Sequence, residues 1–142
     1  MSDQNKAAAR RFFDAWTSGE LDAFDEIIPP DYQEHDTQNP NASTPGPAGA
    51  KRTAEMYRAA FPDDHFEIEQ QVAEGEYVTT RWTVTGTQDG ELMGMPASGK
   101  QVTVSGITIA RFEDGMIVEG WTNWDTLGMM QQLGVVPDAA QA

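Results

Sequence analysis

Apolar side chains recur at helical spacing in the first part of the chain. Ala8, Phe12 and Ala15 lie three or four residues apart, and Gly19 follows where a helix can end. This spacing predicts a first helix over residues 4–18. The polar residues between these positions would form the opposite, solvated face of the helix.

Two shorter helices are predicted after the first. Leu21, Phe24 and Ile28 repeat the helical spacing until a pair of prolines ends it. Residues 50–61 show the same spacing and are followed directly by another proline, which disfavours helical geometry in the residue before it. Between these helices, residues 31–47 are rich in Asn, Pro, Ser, Thr and Gly, which predicts a long loop of the kind that often carries function.

Beyond residue 62 the apolar period changes to two, which is typical of strands. Glu74-Gly75 and Asp114-Gly115 are hairpin turn signals between the strand-like segments. Helices followed by an antiparallel meander predict an α+β fold, with helices packed on one face of a curved sheet. The predicted strands cover residues 66–72, 77–85, 102–112 and 116–124.

Length and charge narrow the class of protein. The 142 residues are enough for one domain, so we expect a single domain over residues 1–142. Twenty-three acidic residues against nine basic ones give a net charge of −14, which argues against nucleic acid or an anionic membrane as a partner. The acidic residues are dispersed along the chain, which suits either a high-salt host or an ordinary acidic protein.

The sequence lacks the residues or motifs that several kinds of functional site require. The chain has no cysteine, which excludes disulfides and thiolate metal sites. No spaced cluster of histidines and carboxylates, no glycine-rich nucleotide motif and no serine nucleophile elbow occurs. We therefore expect no metal site and find no motif for nucleotide binding. No apolar run resembles a secretion signal or a membrane span, so we expect a cytoplasmic protein.

Asp125 is the first candidate for chemistry. It follows a strand-like alternation that contains Trp121 and Trp124, and it stands directly before a short helical stretch that ends at Gly134. A carboxylate beside two indole rings would be partly desolvated, which raises its affinity for a proton. An aspartate before a helix is also a favoured N-cap, so the local sequence supports both interpretations.

Two further segments are open to a functional and a structural interpretation. His35 lies at the start of the long loop and could orient Asp125 or share its proton, or it could be an ordinary exposed histidine. Residues 88–100 join two strands by more chain than a hairpin needs. Leu92, Met93 and Met95 of this segment would contact an apolar ligand if it forms a lid, or fill the sheet's own core.

The ordered set of motifs along the chain resembles the SnoaL-like polyketide cyclase (ester cyclase) family. The similarity covers nearly the whole sequence, and the ordered set is more specific than any single segment. The segments are Tyr32-Gln-Glu-His-Asp36, Ala60-Phe-Pro-Asp63, Ala73-Glu-Gly-Glu-Tyr-Val-Thr-Thr-Arg-Trp-Thr83, Gly94-Met-Pro-Ala-Ser-Gly-Lys100, Trp121-Thr-Asn-Trp-Asp125 and Gln131-Gln-Leu-Gly134.

The resemblance implies the cone-shaped α+β fold of nuclear transport factor 2-like proteins, with a pocket between helices and sheet. It also implies ring closure by intramolecular aldol condensation without metal or cofactor, with Asp125 as the catalytic acid/base and His35 near it. One carboxylate would remove a proton from carbon and later return it to oxygen. We expect substrate contacts from residues of the third helix, the residue 88–100 segment and the strands: Tyr57, Phe61, Arg81, Trp82, Met95, Ile109, Trp121 and Asn123.

Strand alternation places Trp121 and Asn123 on one face, and Arg81 and Trp82 on opposite faces, without deciding which face looks inward. Two other functions remain open. One is a non-catalytic protein that binds a hydrophobic small molecule, and the other is a hydrolase or dehydratase in which a carboxylate activates water or removes a proton. We also expect a homodimer or homotetramer, because a sheet with helices on one face leaves the other face to be covered.

Overall fold

The computed structural model describes residues 2–36 and 38–136. The helices are α1 (Ser2–Ser18), α2 (Phe24–Ile27, entered through a 3-10 turn at Leu21–Ala23), α3 (Gly46–Ala60) and α4 (Thr126–Leu133). The strands are β1 (Gln33–His35), β2 (His65–Glu74), β3 (Tyr77–Thr87), β4 (Gln101–Glu113) and β5 (Met116–Trp124). Every helix and long strand predicted from the periodicity is therefore confirmed, within a few residues at its ends.

The strands form one open sheet in the order β1-β5-β4-β3-β2. The four long strands are antiparallel neighbours, and both predicted hairpin turns join them. β1 lies at the edge and pairs in parallel with β5, so the sheet is mixed. The α+β class with N-terminal helices on a mostly antiparallel sheet is confirmed.

β1 is the element that the periodicity did not predict. Its three residues are too few to show an alternation, and they stand in a segment whose composition indicates a loop. Pairing across the sheet creates this strand, because Gln33, Glu34 and His35 align with Glu119, Gly120 and Trp121. The long predicted loop thus contains one short ordered strand at the sheet edge.

Two apolar clusters hold the helices against the sheet. In the first, Phe24 and Ile28 from the α2 region pack with Val78 of β3, and all three are almost completely buried. In the second, Leu92 packs with Met129 and residues of β4. Leu92 is fully buried, so the 88–100 segment fills core at this position and is not a lid there. Among the described residues, no helix is long and apolar enough to cross a bilayer.

An arginine ties α3 to the end of α1. The Arg58 guanidinium donates hydrogen bonds to the carbonyl oxygens of Trp16 and Thr17, at 2.7 and 2.8 Å. These carbonyls belong to the last turn of α1, where helix oxygens lack partners and a positive charge is favourable. The contact fixes the separation of α1 and α3, and the cavity lies between these helices and the sheet.

Candidate active site

A cavity of about 140 Å³ lies between the helices and the inner face of the sheet. A dry cavity of about 150 Å³ is enough to hold a benzene molecule, whereas whole ligand pockets usually measure about 300–1,000 Å³. The cavity therefore fits one ring or chain end of a larger molecule. Its aromatic walls come from α1, α3 and three of the strands: Phe13, Trp16, Tyr57, Phe66, Trp82 and Trp124.

The sheet wall of the cavity depends on a glycine beside a tryptophan. Trp82 of β3 is paired with Gly106 of β4, and a side-chain carbon on Gly106 would lie 2.4 Å from the indole ring. Only glycine lets the ring lie across β4 at this distance. The indole Nε1 then donates to Thr108 Oγ1 at 3.0 Å, and Thr108 Oγ1 lies 3.1 Å from Thr122 Oγ1 on β5.

Glu34 is the most unusual ionisable group of the cavity. Its Oε2 accepts a hydrogen bond of 2.6 Å from the Tyr32 hydroxyl, and its Oε1 is buried with no hydrogen-bond partner among the described residues. Burial raises the pKa of Glu34 to about 7, and the negative charge of Asp36 adds to this rise. The hydroxyl of Tyr32, the charge of His35 and a weaker contact from the Thr122 hydroxyl oppose the rise in pKa.

Asp64 is a second acid in the cavity wall, and its lone pairs are already used. Trp16 Nε1 donates to Oδ2 at 2.9 Å, and Arg58 lies 3.3 Å from Oδ1. Burial raises the pKa of Asp64, while these two partners oppose the rise. Because Arg58 also binds the end of α1, Asp64 is part of the framework that joins the helices.

Tyr57 brings a hydroxyl group to the cavity from α3. Burial raises the pKa of Tyr57, and the charge of Asp36 adds to the rise, so the hydroxyl keeps its proton at neutral pH. Within residues 2–36 and 38–136, the tyrosine hydroxyl has no hydrogen-bond partner. A carbonyl oxygen of a ligand could accept the hydrogen bond that this hydroxyl is able to donate.

Asp125 does not line the cavity, whereas the sequence led us to expect it beside a desolvated pocket. The side chain is exposed, and its Oδ1 accepts a hydrogen bond of 2.9 Å from the backbone N–H of Gly128. This is the N-cap of α4, which the local sequence also allowed. The strand ends at Trp124, so the chain has already turned away from the cavity wall at Asp125.

His35 and the expected β5 contacts lie on the outer face of the sheet. The ring of His35 stacks on Trp121 with centroids 5.2 Å apart, and its Nε2 lies 2.7 Å from Glu119 Oε2. The cavity-facing positions of β5 are instead Gly120, Thr122 and Trp124. Alternation correctly grouped the residues of each face, but it could not show which group meets the helices.

Of the expected substrate contacts, Tyr57, Phe61 and Trp82 do line the cavity. Arg81 lies on the opposite face of β3 from Trp82. Its side chain is exposed, and its Nε donates a hydrogen bond to Gln70 Oε1 on the neighbouring strand. Met95 packs against the second core cluster. The expected contacts that lie outside the cavity are Arg81, Met95, Ile109, Trp121 and Asn123.

Sequence reasoning missed Glu34, Asp64, Thr108 and Thr122 as cavity residues. The only sequence signal for Glu34 was its position next to His35 in the Tyr32-Gln-Glu-His-Asp36 motif. Without the pairing of β1 and β5, however, this segment could not be recognised as a strand. Neither threonine has a distinctive sequence context, because each is one of many in these strands.

The fold and cavity define a class of protein: an α+β domain with an apolar pocket between helices and sheet, and with acidic groups in the pocket wall. Residues 6–133 match the family described as SnoaL-like polyketide cyclase, and the chain belongs to this family. The family prediction is confirmed, and with it the assignment to the cyclase class of enzymes.

Two curated relatives are named as cyclases, and a solved structure shares the fold. The chain is 29% identical over 126 residues to aklanonic acid methyl ester cyclase DnrD of Streptomyces peucetius, covering 88% of this chain and 87% of the relative. It is 29% identical over 121 residues to the nogalonic acid methyl ester cyclase of Streptomyces nogalater, covering 84% and 90%. TsrD of Streptomyces laurentii superposes with a TM-score of 0.87 at 26% identity, covering 96% of this chain and 98% of that one.

Proposed function

We propose that this protein closes a ring in a polyketide-like carbonyl compound by intramolecular aldol condensation, without a cofactor. The cavity is the proposed site, and Glu34 is the proposed general acid/base. The relatives named as methyl ester cyclases support the reaction class. The position of Asp125 in a helix cap is the reason for assigning the proton transfer to another carboxyl group.

The observation that carries this proposal is the Glu34 carboxyl group in the wall of the cavity, with a pKa raised by burial to about 7. A general base works best when its pKa lies near the operating pH, because it is then ionised and still binds a proton firmly. Oε2 is occupied by Tyr32, whereas Oε1 is not engaged by the described residues. Oε1 therefore keeps the capacity to take up a proton.

The proposed reaction needs one proton carrier and returns it to its starting state. Glu34 as carboxylate takes the proton from a carbon flanked by carbonyls, and the resulting enolate carbon attacks a second carbonyl carbon. One carbon–carbon bond forms, the electrons of the second carbonyl's π bond move to its oxygen, and Glu34 delivers its proton there. Tyr57 would donate a hydrogen bond to an oxygen that gains negative charge. Holding the two carbons together in a narrow cavity supplies much of the rate.

Replacement of Glu34 by Gln tests the assignment. The amide keeps the size of the side chain and loses the base, so we expect turnover of aklanonic or nogalonic acid methyl ester to fall by roughly 10²–10⁴-fold. The matched control is Asp125→Asn, which should retain the parent rate. Product formation followed by mass spectrometry gives both rates. Parent-like turnover by Glu34→Gln together with loss in Asp125→Asn would restore the original assignment to Asp125.

A non-catalytic binding protein is the second candidate function. It is favoured by the aromatic walls of the cavity, which suit a planar ligand whether or not it reacts. The two functions differ in outcome when the same esters are mixed with the parent protein. For a binding protein, the bound ester would raise the melting temperature of the protein, and no product would form.

We also propose that the outer face of the sheet packs against the same face of a second copy of the chain. Tyr77, Ile107 and Val72 lie on these strands with 43%, 45% and 56% of their surface exposed. Exposed apolar residues concentrated on one sheet face are typical of a surface that another protein covers. The helices already occupy the inner face, so the outer face is the one available for sheet-to-sheet packing.

A further inference from the structure

A row of polar side chains crosses the inner face of the sheet. We name Trp82, Thr108, Thr122 and Glu34 the polar row. They lie on β3, β4, β5 and β1, which are adjacent strands. Trp82 Nε1 is 3.0 Å from Thr108 Oγ1, and Thr108 Oγ1 is 3.1 Å from Thr122 Oγ1. Thr122 and Glu34 line the same cavity from adjacent strands, since Glu34 is paired with Gly120, two residues before Thr122, and Glu34 Oε1 is buried without a partner among the described residues.

The chemistry of the two ends fixes the direction of the hydrogen bonds. An indole N–H can only donate, and a carboxylate can only accept. Thr108 therefore accepts from Trp82 and has one proton left to donate, while Thr122 lies between Thr108 and Glu34. If Thr122 donated to Thr108, its own oxygen lone pairs would face the carboxylate. Each hydroxyl proton finds an acceptor within the row only when the donation runs from Trp82 to Thr108, Thr122 and then Glu34.

We propose that Thr122 is a positioning residue that directs its hydroxyl proton at the Glu34 carboxylate, and that Thr108 and Trp82 hold it in this orientation. The row would keep Glu34 in the ionised form that can act as a base, despite its burial. Tyr32 donates to Oε2 at 2.6 Å, so Oε1 is the carboxylate oxygen that remains open to the Thr122 hydroxyl. The role of the row in turnover rests on the proposed function, whereas its effect on Glu34 does not.

Other groups near Glu34 belong mostly to its own segment. Tyr32, His35 and Asp36 act on the carboxyl group from the β1 side, and β5 contributes the Thr122 hydroxyl. From α3, Tyr57 shares the cavity and interacts with Asp36. Tyr32, His35 and Asp36 remain in place when the row is altered on β5, β4 or β3. A change in the ionisation of Glu34 in such variants would therefore report the row itself.

The test measures the ionisation of Glu34 in the resting protein. A ¹³C NMR titration of the glutamate side chains gives this value, and the Glu34 signal is identified as the one absent from Glu34→Gln. Thr122→Val keeps the shape of the side chain and removes the hydroxyl. We expect the ionisation constant of Glu34 to fall roughly three- to tenfold, which means a higher pKa, as for the loss of one hydrogen bond to a charged form.

Matched variants separate the row from general disturbance of the sheet. Thr122→Ser retains the hydroxyl and should keep the parent titration, even if Thr122→Val folds poorly. Thr108→Val should shift the titration in the same direction by a smaller factor, because Thr122 loses its orienting donor. Thr83→Val, the same substitution at a β3 residue outside the cavity lining, should leave the titration unchanged.

The direction of the shift decides the proposal. An unchanged or lower pKa of Glu34 in Thr122→Val would overturn the proposal. An unchanged pKa would mean that Thr122 does not affect the ionisation of Glu34, and a lower one that Thr122 accepts a hydrogen bond from the protonated carboxyl group. Turnover of Glu34→Gln gives a separate answer about function. If that variant is fully active while Thr122→Val still shifts the titration, the proposed acid/base role fails and the polar row stands.

Discussion

Asp125 and Gly128 fit each other closely at the start of α4. Oδ1 of Asp125 accepts the Gly128 N–H at 2.9 Å, and a side-chain carbon on Gly128 would lie 2.1 Å from Oδ2. The glycine is therefore the residue that makes room for the cap. Asp125, for which the sequence analysis expected a catalytic role, is thus the N-cap of α4, and this contact predicts how variants at the two positions behave.

Replacing Asp125 by Ala should lower the free energy of unfolding by about 1 kcal/mol, because α4 loses its N-cap hydrogen bond. Asp125→Asn should lower it less, since asparagine is an equally favoured cap. Denaturant unfolding followed by circular dichroism measures both changes. Equal stability of the Ala variant and the parent protein would mean that the cap contributes nothing measurable.

The close approach at Gly128 predicts non-additive substitutions. Gly128→Ala alone should destabilise, because the new methyl group collides with the Asp125 carboxylate. In the Asp125→Ala background the same change should be neutral or stabilise by up to about 1 kcal/mol, since alanine favours helices over glycine. A double-mutant cycle by denaturant unfolding gives the coupling. Additive effects would contradict the geometry at this cap.

Glu34 should make the stability depend on pH. Its pKa is raised from 4.5 to about 7 on folding, so in this range the folded protein holds a proton that the unfolded chain has released. The stabilising contribution of that proton is complete below the lower value and is lost as the pH rises through the upper one. Stability should therefore fall between about pH 4.5 and pH 7, by up to about 3 kcal/mol.

Glu34→Gln removes this pH dependence and supplies the control. Relative to the parent, the variant should gain stability as the pH is raised across the same window. Thermal unfolding at a series of pH values shows the difference between the two proteins. Parallel curves would contradict a raised pKa for Glu34.

Gly106 should tolerate no side chain. Gly106→Ala would place a carbon 2.4 Å from the Trp82 indole, so the ring has to leave its position across β4. We expect a loss of roughly 1–3 kcal/mol in stability, as for other overpacked sites. The near-ultraviolet circular dichroism of the tryptophans should change as well. Ser105→Thr is the matched control for added volume, because it adds one carbon to the neighbouring, exposed β4 position.

The proposed self-association should respond to charge on the outer face of the sheet. Ile107→Lys adds a positive charge to an exposed apolar position of β4 and should shift the protein from dimer to monomer. Sedimentation equilibrium of parent and variant gives the masses. A parent protein that sediments as a monomer at high concentration would exclude pairing through this face.

Local sequence predicted the elements that local forces determine. The helix that ends near Ser18 and the strand of Tyr77–Thr87 carry their period within their own residues, so both were predictable. β1 was not, because three residues become a strand only by pairing with β5. The place of Glu34 in the cavity wall was missed for the same reason. Glu34 enters the cavity wall through that pairing, and the inward face of β5 is chosen by packing against helices far away in sequence.

The cavity wall has a single sign of charge. Among its described lining residues Glu34, Asp36 and Asp64 are acidic and none is basic, while Arg58 behind the wall is bound to Asp64 and to the end of α1. Under the proposed function, a guest molecule bearing its own free carboxylate would meet electrostatic repulsion in a poorly hydrated space. Masking that group as a neutral ester removes the repulsion. The enclosure would thus distinguish an esterified molecule from its parent acid before any bond is made.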